Sequence, residues 1–198
     1  PVRARKIAVP LAALRDRISA SQCKNLLEKG VKHLFAHDEL GDPFLDLLMT
    51  AQGQKGALAL VEKALRMRRA RKIPEALQIL AWLALHDHLD QEGRYQLALT
   101  RLLADGKPSL NDDASAPGGD ATMGYFAALV RDSFPVFDRL RKESTVLPES
   151  LLRMGRHFSA GVGNERRFGT DLLQFVAEKH SKQRAGEEAK LALRVGGV

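Results

Sequence analysis

The sequence predicts an all-α fold built of antiparallel helical hairpins, and three observations carry that expectation. Apolar residues recur at three- and four-residue intervals along most of the 198-residue chain, the period of one buried helix face. Runs that alternate β-branched with polar residues, as strands require, do not occur. Gly, Pro and Asp break the pattern at short intervals, and short connections make successive helices antiparallel neighbours.

The elements follow in order. Residues 11–29 place Leu11, Leu14, Ile18, Leu26 and Leu27 among charged residues, with Gly30 as the expected stop. Val31, Leu34, Phe35 and Leu40 continue the pattern. Gly41-Asp42-Pro43 reads as a turn in which Asp42 caps the next helix and Pro43 occupies its first turn. That helix carries Phe44, Leu45, Leu47, Leu48 and Met49 until Gly53 and Gly56. From Ala57 a further run carries Leu58, Val61, Ala64 and Leu65. Pro74 opens a helix with Leu77, Leu80, Trp82, Leu83 and Leu85; another follows Gly93 with Tyr95, Leu97, Ala98, Leu99, Leu102 and Leu103.

Residues 106–120 read GKPSLNDDASAPGGD, a composition with little to bury, and so a loop or linker. The expected division is therefore a helical unit over 1–105, a linker over 106–121 and a second helical unit over 122–198. In the latter, helices are expected near Thr122–Asp132, over a Pro135-interrupted segment to Lys142, after Leu147-Pro148 and over Glu165–Lys179. A last one near Gly186–Arg194 ends at Gly196-Gly197.

Composition excludes several classes. Apolar residues are 44% and charged residues 28% of the chain, which does not fit a disordered, collagen-like or disulfide-stapled protein. No apolar stretch approaches the ~20 residues of a membrane-spanning helix. Cys23 is the single cysteine, so an intramolecular disulfide is ruled out and a reducing compartment is expected. The basic segment 1–10 lacks the apolar stretch and cleavage site of a secretory signal, and a cytoplasmic location is expected. The formal charge of +7 favours acidic partners, be they nucleic acid, an anionic membrane or a protein.

One pattern resembles a known family. Trp82-x-x-Leu85 on one helix precedes Gly93-x-Tyr95-x-x-Ala98-x-x-x-Leu102 on the next, and residues 78–105 are thereby similar to a single tetratricopeptide unit. His86 stands where that family has Gly, and Leu102 where it has Phe. A second partial match, Leu151-x-x-Met154-Gly155-x-x-Phe158 followed by Ser159-Ala160-Gly161-Val162-Gly163, looks like the related Sel1-like repeats. The resemblance implies a tetratricopeptide-like α-solenoid or an irregular bundle, and adaptor, co-chaperone or assembly roles.

Sites of chemistry are sparse. His33 and His37 share a helix face at a spacing that serves metals, with Asp38 and Glu39 beside them; two surface histidines explain the pair more simply, and no metal or cofactor is expected. His86 and His88 are alternate residues. Gly161-Val162-Gly163-Asn164 precedes Glu165-Arg166-Arg167 and reads as a helix–helix turn sooner than a phosphate loop. No nucleophile elbow, Walker loop or dinucleotide fingerprint is present. A non-enzymatic protein-interaction module is expected, with Arg68, Arg71, Arg94 and Arg101 as contacts for an acidic partner. The alternative is a basic nucleic-acid-binding protein using Arg66, Arg68, Arg69, Arg71, Lys72, Arg166 and Arg167. Arg153 and Arg156 add to that charge, and an enzyme would start from the four histidines. Self-association through the terminal helix, with Leu191, Ala192, Leu193 and Val195, stays open.

Overall fold

The computed structural model describes residues 18–37, 42–104 and 119–195, with residues 37 and 119–121 described by backbone alone. The basic amino-terminal segment, Asp38 and Glu39, most of the expected linker and Gly196-Gly197 lie outside the described residues. Among the described residues the fold is all-α: ten helices pack as sequential antiparallel pairs, without strands. They are α1 (Ala20–His37), α2 (Pro43–Gln52), α3 (Gln54–Arg69), α4 (Ile73–Leu85), α5 (Gln91–Ala104), α6 (Gly119–Arg131), α7 (Val136–Leu140), α8 (Pro148–Ser159), α9 (Gly163–Lys179) and α10 (Arg184–Val195).

The chain divides into two compact units, Pro1–Leu89 and Asp90–Val198. This division precedes α5, whereas the sequence suggested one at 106–121. The reason is the buried face of α5: Tyr95, Ala98, Leu99 and Leu102 join the core that α6 to α10 build with Phe126, Leu152, Phe158 and Leu172. The two helices with tetratricopeptide-like spacing thus fall on either side of the division, α4 pairing with α3 and α5 with α6.

In the first unit α1 packs on α2 and α3 on α4. Gly41 lies outside the described residues, and the expected cap at Asp42 is present. Its Oδ1 accepts from the backbone N–H of Phe44 and of Leu45, each at 2.9 Å, which satisfies two of the donors a helix start leaves open. Gly53 closes α2 at φ +51°, a conformation natural to glycine. Gly30 departs from expectation. It lies inside α1, where a Cβ would come 2.4 Å from Leu45 Cδ2. Glycine at this position lets α2 approach α1 and does not end the helix.

In the second unit backbones approach closely where α8 crosses α9. A Cβ on Gly169 would lie 2.2 Å from the Ser159 nitrogen and 2.8 Å from the Gly155 oxygen, and one on Gly155 would lie 2.9 Å from Leu173. Phe158 and Phe168 flank this crossing edge to face, with ring centroids 5.1 Å apart, a favoured aromatic geometry.

Gly169→Ala is expected to destabilise the protein by about 3 kcal/mol, because backbone atoms rather than a flexible side chain block the new methyl. Gly124→Ala on α6 meets nothing within 4 Å and is expected to stabilise by about 0.5–1 kcal/mol through helix propensity. Urea denaturation of both variants checks the pair; equal effects would contradict the packing described.

Candidate interaction surface

The end of α3 carries the densest charge. Arg66, Arg69, Arg71 and Lys72 are exposed, and Arg68 is half-buried. Three of these cations occupy the last turn of α3, where positive charge complements the helix dipole. Beyond them the chain reverses in a Schellman turn, with the Lys72 N–H donating to the Met67 carbonyl and the Arg71 N–H to that of Arg68, both at 3.0 Å. Arg71 occupies the left-handed position of this turn at φ +61°, which costs a residue with a Cβ about 1 kcal/mol. Asp87 after α4 and Ser133 after α6 end their helices in the same way, at φ +53° and +58°.

Alongside this basic end runs an apolar strip. Gly56, Ala57, Leu60 and Ala64 are the buried residues of α3. Leu58 is 49% exposed, and Val61 and Leu65 are half-buried. At i, i+3 and i+7 these three share one side of the helix. The signal was present in the sequence: apolar residues at 57, 58, 60, 61, 64 and 65 span more of the circumference than one packed partner covers. Glu62 is the single acid on α3, and Lys63 is engaged by the Glu28 carboxylate at 3.0 Å.

The four residues expected to meet an acidic partner do not fall in one unit. Arg68 and Arg71 are in the first, Arg94 and Arg101 in the second. Arg94 is exposed, while Arg101 is half-buried, with its guanidinium 4.9 Å from the Tyr125 ring centroid. Among the nucleic-acid candidates, Arg166 and Arg167 are exposed on α9, again in the second unit. Other cations there are engaged: Arg139 with Glu92 at 2.7 Å and over Phe134, Arg131 with Glu165 at 3.4 Å, Arg156 with Glu188. Arg153 is half-buried.

The histidines divide among local roles. His33 Nδ1 lies 3.1 Å from the buried Asp42 Oδ2 and its ring meets Phe44 edge-on, so the imidazole ties α1 to the start of α2. His86 and His88 lie beside Trp82, with ring centroids 4.5 Å and 6.1 Å away. Among the described residues no three His, Cys, Asp or Glu side chains gather as metal ligands. Cys23 is half-buried on α1. The Gly161–Asn164 turn opens α9 from Gly163, with Val162 as its N-cap and no capping side chain. On α10, Ala185 and Ala189 are buried, Ala192 and Leu193 pack against the core, and Leu191 and Val195 are exposed. No described helix is long and apolar enough to cross a membrane.

No protein-family model, curated protein or solved structure matches the chain.

The Schellman turn makes a local prediction. Arg71→Gly is expected to stabilise by up to about 1 kcal/mol by relieving the left-handed backbone. Arg69→Gly, one charge lost from the helical turn before it, is expected to destabilise by about 1 kcal/mol. Thermal unfolding separates the two; a loss of stability in Arg71→Gly would contradict the cap.

Proposed function

We propose that the protein is a non-enzymatic interaction module whose α3 binds an amphipathic, acidic helix of a partner protein. One observation carries the reading: the half-exposed strip Leu58, Val61 and Leu65 runs along a helix whose last turn carries Arg66 and Arg69 and whose following turn carries Arg71 and Lys72. An apolar helix face with i, i+3 and i+7 anchors is what a second helix packs against. The cations beyond it select acidic residues and speed encounter. An adaptor or assembly scaffold is the class of role that such a surface serves. A single apolar strip also favours this partner over nucleic acid, which would need basic residues spread along a backbone track and aromatic platforms for bases. Only 6% of the chain is aromatic; Tyr95, Phe126 and Phe158 are fully buried, and Tyr125, Phe134, Phe137 and Phe175 are partly buried against the core.

The test is fluorescence anisotropy with a labelled amphipathic peptide of leucine and glutamate, run beside short DNA and RNA at low and physiological salt. The peptide is expected to bind at both salts, with affinity about tenfold lower in Leu58→Ser and in the Arg66→Glu/Arg69→Glu double variant. Nucleic acid bound more tightly than the peptide at physiological salt, or peptide binding indifferent to these substitutions, would overturn the proposal.

A further inference from the structure

An open cleft of about 430 Å³ lies within the second unit, in the size range of small-molecule sites. Its apolar lining includes Phe134, Val136, Phe137 and Phe168. These surfaces are fixed by their neighbours: Phe168 meets Phe158 edge-on, and Phe134 lies 5.6 Å from the Tyr95 ring and 5.0 Å from the Arg139 guanidinium. The turn that carries Ser133 and Phe134 is equally constrained, the Phe134 N–H donating to the Leu129 carbonyl at 2.9 Å.

The charged lining comes chiefly from one helix. Asn164, Arg167 and Asp171 line the cleft from α9, at i, i+3 and i+7 and thus on one face. Arg167 and Asp171 are a turn apart, a spacing at which opposite charges often pair. Among the described residues neither joins an ion pair, and Asp138, the other acid of the lining, is held by Arg141 Nε at 3.1 Å. The cleft therefore presents one positive and one negative group, each without a charged partner, next to an aromatic surface.

We infer that this cleft binds a free α-amino acid with an apolar side chain. The carboxylate meets Arg167 and the Asn164 amide, the ammonium meets Asp171, and the side chain covers the partly exposed Phe134 and Phe137. Charge complementarity selects the zwitterion. A simple carboxylate leaves Asp171 unanswered, a simple amine sets its charge against Arg167, and a phosphate ester brings added negative charge against both Asp171 and Asp138. This site is independent of the partner surface on α3.

The experiment is an NMR titration of the isotope-labelled full chain with L-leucine and with L-phenylalanine at millimolar concentration. Shifts are expected for amides of residues 133–138 and 163–171. Arg167→Gln and Asp171→Asn, at an exposed and a half-buried position, are each expected to weaken binding about tenfold, the effect of losing one charge-assisted contact. N-acetyl-leucine and leucinamide, which lack one of the two charges, are expected to lose a similar factor. Absence of shifts with both amino acids, unchanged affinity in both variants, or blocked analogues that bind as tightly as leucine would each overturn the inference. Circular dichroism of the variants ensures that any loss is read on folded protein.

Discussion

The contact on which the second unit most depends is the crossing of α8 and α9 at Gly155 and Gly169, where backbone meets backbone. Dispersion and apolar burial favour close approach, but two Cβ atoms would hold the helices apart. With both absent, Phe158 and Phe168 close over the crossing and Leu173 settles against Gly155. α10 then completes the core with Ala185 and Ala189. The cleft inherits this order, since Phe168, Arg167 and Asp171 project from the same rigid stretch of α9. The first unit uses glycine for close approach at Gly30 against Leu45 and at Gly56 against Met49.

Electrostatics assign different work to the two ends of the chain. In the second unit several cations are answered: Arg139 by Glu92 and two aromatic rings, Arg131 by Glu165, Arg156 by Glu188. Exposed pairs of this kind contribute little stability, so their effect is to orient side chains. At the end of α3, Arg66, Arg69, Arg71 and Lys72 have no acidic partner among the described residues. Charge left unanswered beside half-exposed leucine and valine is what distinguishes that surface from an ordinary solvated helix face.

Local rules carried the sequence reading furthest. Asp42-Pro43 announced its cap because the acceptor and the helix start are neighbours in the chain, and the basic end of α3 was visible because its charges are contiguous. Gly30 misled because a glycine that ends a helix and one that admits a neighbour look alike until Leu45 is in place. The helix ends at Arg71, Asp87 and Ser133 carry no glycine to mark them. The boundary before α5 depended on where Tyr95 and Leu102 are buried, which periodicity does not specify. The outward strip of α3 was legible only as an apolar arc too wide for one partner. The cleft joins residues more than thirty positions apart, from Ser133 to Asp171, and no local pattern encodes that meeting.

The central claim is that the outer side of α3 is occupied by another protein in the cell. The most direct measurement is photo-crosslinking in the source cell from a benzophenone side chain at Leu58, with the same group at exposed Glu178 of α9 as the control position. The account predicts a discrete crosslink from position 58 alone, to an acidic amphipathic segment of one protein, lost on Arg66→Glu/Arg69→Glu. Crosslinks to nucleic acid, equal yields from both positions, or no adduct at position 58 would contradict it.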